Sequence, residues 1–142
     1  MIKKIILILL VSSLAFFSNA QPGGSPKKEH KVLFQLASPD TLVHIGLIKQ
    51  LNNLLIAVPD VTVEVVCHGP GLNILISDKT TILAQIQQLK TKGVMFAACE
   101  NTMKDRNITK DRIIAEADYV PAAIVEIMKR QEEGWTYIKA GF

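Results

Sequence analysis

Three short runs in this chain, Val32–Leu36, Val61–Val66 and Val94–Ala98, are built mainly from apolar and β-branched residues, and each is followed by a longer stretch with helical patterning. Short apolar runs of this kind read as strands covered on both faces. Such strands alternating with helices restrict the fold to one class. The expectation is an α/β protein, a three-layer α/β/α sandwich with a mostly parallel five-stranded sheet.

Taken in order, Val32–Leu36 is the first strand. Ser38-Pro39-Asp40 opens a helix to about Val58, with Ser38 as its cap and Pro39 in its first turn. Ile48, Leu51 and Leu55 fall on its apolar stripe, and His44 lies one turn earlier on the same stripe. Val61–Val66 is the second strand, and Cys67-His68-Gly69-Pro70-Gly71 is a tight loop where backbone can approach closely. The run Leu72–Ile76 fits a helical turn or an extended piece. Ser77 or Asp78 is read as the cap of a helix to about Lys92, with Ile82, Ile86 and Leu89 inward and Gly93 as its stop. The third strand ends at Cys99, and "CENTM" (Cys99–Met103) reads as a polar loop. Thr109 is expected to cap a helix carrying Ile113 and Ile114. A short strand Ala117–Val120 precedes a helix from Pro121 to about Glu133, with Ile124, Val125, Ile127 and Met128 inward. Trp135–Ile138 is a fifth strand at an edge.

The first twenty residues stand apart. A basic start at Lys3 and Lys4, an apolar run from Ile5 to Phe17 and small residues at Ser18 and Ala20 form a secretory signal, with cleavage expected after Ala20. The run is short for a membrane span. The protein is therefore expected to be periplasmic or secreted, with no stable membrane insertion after cleavage. Residues 21–30 read as a flexible lead and residues 31–142 as one domain. The chain has 16 basic and 13 acidic residues; losing Lys3 and Lys4 leaves 14 basic residues and a net charge of +1. That balance gives no electrostatic footprint for nucleic acid.

In a parallel sheet every strand's C-terminal end lies on one rim, where α/β proteins keep their chemistry. Cys67-His68 and Cys99 each end a strand, and His44 follows another. Cys99 is the candidate nucleophile, with Lys104 and Arg106 available to add positive potential; a buried structural cysteine is the plainer reading. Cys67 would approach Cys99 if the second and third strands are neighbours, and a disulfide then depends on register. His44 and His68 suit a base or proton shuttle, and with the two thiols they form a four-member inventory suited to zinc or copper. Their spacing matches no compact zinc signature, and a helix-face histidine in a pocket or interface is the favoured reading of His44. Asn101-Thr102 is turn chemistry, Trp135 and Tyr137 are edge packing or a subunit contact, and Lys129-Arg130 with Glu132-Glu133 is a solvated helix end. No cofactor is called for: Gly69-Pro70-Gly71 lacks the third glycine of a dinucleotide loop, and no serine elbow or metalloprotease helix is present.

With these residues placed, "VVCHGPG" (Val65–Gly71), "GVMFAACENTM" (Gly93–Met103) and "QEEGWTYI" (Gln131–Ile138) together resemble the DsrE/DsrF-like family in its exported branch. The resemblance covers Lys31 to the C-terminus. It implies a parallel α/β/α fold and a homo-oligomer, often a trimer or hexamer. It also implies a link to sulfur relays, in which better understood cytoplasmic relatives pass sulfane sulfur as a cysteine persulfide. Cys99 stands at the matching cysteine of this branch, while Cys67 replaces the usual small residue before His-Gly. The expectation is a persulfide on Cys99, with Cys67, His68, Gly69, Asn101 and His44 around the pocket and a sulfur donor or acceptor protein as partner. The alternatives are a metal- or small-ligand-binding module and a non-catalytic oligomer with a Cys67–Cys99 disulfide.

Overall fold

A computed structural model describes residues 29–141. The expected signal segment, its cleavage position and most of the flexible lead lie outside the described residues. Five strands form one sheet: β1 (Lys31–Leu36), β2 (Thr62–Cys67), β3 (Met95–Cys99), β4 (Asp118–Val120) and β5 (Thr136–Lys139). Their order is β4-β3-β2-β1-β5 and every pairing is parallel. The helices are α1 (Thr41–Ala57), α2 (Leu83–Thr91), α3 (Glu100–Asp105) and α4 (Ala123–Glu132), with 3-10 segments at Gly69–Leu75 and Lys110–Arg112. This is the expected α/β/α sandwich with an all-parallel sheet, and β5 is at an edge.

The two faces of the sheet are covered unequally. Phe34, Leu36, Val63, Val65, Cys67, Phe96 and Ala98 point into the large core beneath α1 and α2, where they meet Leu47, Leu51, Ile86 and Leu89. Leu33, Val66, Ala97, Cys99 and Val120 point to the other face and meet Ala123 and Ile127 of α4, with Trp135. The strand order explains the split. The β1-to-β2 and β2-to-β3 crossovers advance the same way, so right-handedness puts α1 and α2 on one face. The connection from β4 to β5 returns across the whole sheet and puts α4 on the other.

Several local expectations are corrected. The cap of α1 is Asp40, whose carboxylate accepts from the Leu42 N–H at 2.8 Å, while Ser38 Oγ accepts from the Asp40 N–H. Pro39 biases Ser38 toward extended backbone, so the helix opens after the proline. Helix α2 starts at Leu83 rather than near Ser77, because the signals there have other partners. The Ser77 N–H donates to the Arg112 carbonyl, and the Asp78 carboxylate holds the Arg112 guanidinium at 2.9 and 3.0 Å. Thr109 heads only a three-residue 3-10 segment, and the supposed polar loop after Cys99 is helix α3. In α4 only Ala123 and Ile127 are buried; Ile124, Val125 and Met128 are 64%, 44% and 50% exposed. A single ten-residue helix presents only a narrow stripe to the sheet, so residues on either side of that stripe face outward.

Candidate functional site

Cys99 lies at the topological switch of the sheet. The segment leaving β3 turns toward the α1/α2 face, where Met103 of α3 joins the large core. The segment leaving β4 turns the other way into α4. Connections that diverge open a crevice at the carboxyl ends of the two strands. Here that space is closed: Cys99 ends β3, Pro121–Ala123 leads into α4, and the two segments touch. The Ala123 N–H donates to Cys99 Sγ at 3.3 Å, and the Asn101 N–H donates to the Pro121 carbonyl at 3.1 Å. Ala123 is the first residue of α4, so its N–H is one of the donors a helix cannot satisfy internally. A sulfur anion accepts such a bond more strongly than a neutral thiol does. Cys99 as a residue is 3% exposed.

The next member of the rim is His68. Cys67 pairs with Ala98, so His68 and Cys99 follow one another on adjacent strands and share the α4 face. The partly buried His68 ring leans toward β1, where Gln35 Nε2 lies 2.7 Å from His68 Nε2. Gln35 Oε1 in turn accepts from the Tyr137 hydroxyl. A row Tyr137–Gln35–His68–Cys99 thus crosses β5, β1, β2 and β3 along one edge. Burial holds the His68 ring below its ordinary pKa of 6.5. An NMR titration of the ring is expected to show a midpoint below 6.5 and a neutral imidazole at pH 7; a midpoint above 6.5 would contradict this environment.

The loop behind His68 is fixed by two glycines. Gly69 has φ of +51° and donates its N–H to Thr102 Oγ1 at 3.0 Å. A Cβ on Gly71 would stand 2.4 Å from the Leu36 carbonyl oxygen. Arg106 is not aimed at the thiol; it donates to the Gly69 carbonyl at 2.7 Å and to Asn73 Oδ1 at 3.0 Å, clamping the loop to α3.

The remaining candidates are dispersed. Cys67 is fully buried in the α1/α2 core, and burial pushes its thiol far above the ordinary range. Period-two alternation puts it on the opposite face from Cys99, and both thiols are free. The alternative of a Cys67–Cys99 disulfide is therefore not realised, and the two side chains point apart. His44 is 5% exposed on α1, its ring Nε2 held by the Ser38 carbonyl at 2.8 Å. It too lies on the face away from Cys99. The proposed four-member ligand set is thus split by the sheet. Among the described residues no three His, Cys, Asp or Glu side chains are placed to hold a metal. Asn101 is exposed in the first turn of α3. A cavity of about 360 Å³ opens beside α1, between Asp40, Val43, Gln50 and Lys139, and includes none of the rim residues.

Sequence reading missed four participants: Gln35, the Ala123 N–H, Glu64 and Arg130. Gln35 and Glu64 carried a signal: each is the one amide- or charge-bearing side chain in a strand expected to be covered on both faces. Glu64 is 2% exposed on the α4 face, and Arg130 Nε donates to its carboxylate at 2.6 Å. Arg130 also pairs with Glu126 at 2.9 Å and lies 4.8 Å above the Trp135 ring. At the expected solvated end of α4, Lys129, Glu132 and Glu133 are exposed, but Arg130 anchors the helix to the sheet.

Fold and site together define a single-sheet parallel α/β/α domain with a free thiol, Cys99, at the switch point of the sheet. The chain belongs to the DsrE/DsrF-like family, whose model matches residues 13–140. It is similar to a structure of a protein of unknown function from Methanobacterium thermoautotrophicum, with 31% identity and a TM-score of 0.75, over 78% of this chain and 99% of that one. A conserved protein of unknown function from Bacteroides thetaiotaomicron shares the fold at 11% identity and a TM-score of 0.64, over 77% of this chain and 93% of that one. Among curated proteins no relative matches the chain.

Proposed function

We propose that this protein carries sulfane sulfur as a persulfide on Cys99. Family membership supports a sulfur-relay-related role in general. The observation that carries the finer reading is the Ala123 N–H aimed at Cys99 Sγ from the start of α4. That donor suits a sulfur that is anionic when it attacks. In the transfer, the Cys99 thiolate attacks the outer sulfur of a donor persulfide or polysulfide. A new S–S bond forms on Cys99, the donor's S–S bond breaks, and the shortened donor leaves as a thiolate. The reverse reaction hands the sulfur to an acceptor thiol. His68, held by Gln35, and the backbone at Gly69 and Asn101 line the approach to the thiol.

The same reading includes export with cleavage after Ala20, a periplasmic or secreted location and a homo-oligomer, trimer or hexamer. Large apolar side chains left exposed on α1 and α4, Leu42, Ile56 and Ile124 among them, support self-association.

The test is mass spectrometry of the reduced protein after exposure to polysulfide. Wild type is expected to gain one sulfur atom, about 32 Da, on Cys99, and Cys99→Ser to gain none. No gain in wild type, or an equal gain in Cys99→Ser, would overturn the proposal.

A further inference from the structure

Cys99 is 3% exposed, so a sulfur donor reaches it only if something moves. The segment in the way is the start of α4, which contacts the sulfur through the Ala123 N–H. Within its own protomer this helix is lightly held. It buries only Ala123 and Ile127, one of them a methyl group, and turns Ile124, Val125 and Met128 outward. Its other attachment is ionic. Arg130, in its last turn, reaches across to Glu64 in the middle of β2 at 2.6 Å, with Glu126 at 2.9 Å and Glu133 at 3.2 Å from the same guanidinium. The groups facing Glu64 from above are therefore one cation and two further carboxylates, all on α4.

A carboxylate on a central strand is a costly way to attach a helix. Desolvating two charges consumes most of their attraction, so a buried pair adds little net stability, whereas losing one partner leaves a charge stranded. Such an attachment is firm while both partners are present and weak once one is withdrawn. An apolar attachment would lack that property.

We propose that α4 is a lid over the Cys99 sulfur and that Glu64 and Arg130 are the positioning residues that hold it shut. Release of the pair lets α4 lift, withdraws the Ala123 N–H and opens the thiol to a donor. The inference concerns access to Cys99 and rests on reading Cys99 as the working thiol. Its test, however, measures alkylation rather than sulfur loading, so the two fail separately.

The experiment is timed alkylation with iodoacetamide, read at each cysteine by mass spectrometry on the assembly that the full mature protein forms in solution. Cys67, on the opposite face and fully buried, reports global opening. Arg130→Met is expected to raise the Cys99 rate at least tenfold, a change of about 1.4 kcal/mol in the opening equilibrium, with Cys67 still labelling more slowly than Cys99. The double variant Glu64→Met with Arg130→Met, which replaces the stranded charge with an apolar pair, is expected to return Cys99 to the wild-type rate or below. An unchanged Cys99 rate in the single variant would overturn the proposal. So would a folded double variant that labels as fast as the single one. If Arg130→Met labels both cysteines together, the double variant alone decides.

Discussion

Gly71→Ala is expected to destabilise the protein by about 3 kcal/mol, the upper end for overpacking a close-packed site. The ideal Cβ would lie 2.4 Å from the Leu36 carbonyl oxygen, 2.6 Å from its carbon and 2.8 Å from Ala37 Cα. All three are backbone atoms, so no side-chain rotation relieves the clash. Either the Gly69–Leu75 segment lifts away from β1, or the end of β1 moves. Both routes disturb the rim. The Gly71 N–H donates to the His68 carbonyl, and the His68 N–H donates to the Leu36 carbonyl, each at 3.0 Å. His68 is therefore tied to both sides of the contact that must open. Urea unfolding is expected to show a lower midpoint at an unchanged slope. The His68 ring resonances are expected to shift as the contact with Gln35 at 2.7 Å loosens. A loss below about 1 kcal/mol with unmoved His68 resonances would show that the close approach is not what places the histidine.

How much of this was legible beforehand follows from what periodicity can carry. The runs 32–36, 61–66 and 94–98 announced buried strands, and their alternation with helices announced the sandwich. Register and facing were not announced. Cys67 and Cys99 both end strands and so both seemed to meet at the rim. The pairing of Cys67 with Ala98 sends the two thiols to opposite faces, a one-residue distinction that no single strand's sequence encodes. His44 was lost from the cluster for the same reason, because α1 packs on the face away from Cys99. The apolar stripe of α4 misled in another way. Ile124, Val125, Ile127 and Met128 are consistent with a broad buried face, but the sheet accepts only Ala123 and Ile127. Arg130 looked solvated because its partner lies sixty-six residues earlier, in a strand where a glutamate passed as a break in an apolar run. Long-range polar pairing leaves no local periodicity to read.

The rim residues that were read and those that were missed differ in kind. Cys99, His68 and Gly69 belong to contiguous motifs at strand ends, where loop chemistry shows in sequence. Gln35, Tyr137 and the Ala123 N–H enter the site only through strand order. β5 adds beside β1 and brings the Tyr137 hydroxyl to Gln35. The return of the chain to α4 brings a backbone donor to a sulfur twenty-four residues away. Topology thus supplies the thiol's hydrogen-bond donor, and sequence supplies the thiol.

The second large effect is expected from Arg130→Met, which should cost about 3–5 kcal/mol near neutrality, the range for breaking a buried pair from one side. Glu64 is 2% exposed, and Arg130 is the cation within reach of its carboxylate. Without it, Glu64 faces the Glu126 and Glu133 carboxylates with no compensating charge. The pH dependence separates this cause from lost packing against Trp135. Burial already raises the Glu64 carboxyl above its ordinary 4.5, and Arg130 opposes that rise; removing Arg130 takes the opposition away. The folded variant then holds a proton that the unfolded chain releases once the pH exceeds 4.5. Its stability is highest below that point and falls as the pH climbs through the raised folded value. The deficit relative to wild type is therefore expected to be largest near pH 7 and to shrink toward and below 4.5. Urea unfolding of both proteins across that range measures it. A deficit that stays constant with pH would assign the loss to the methylene stem and the Trp135 contact, and would remove the charge of Glu64 from the account of how α4 is held.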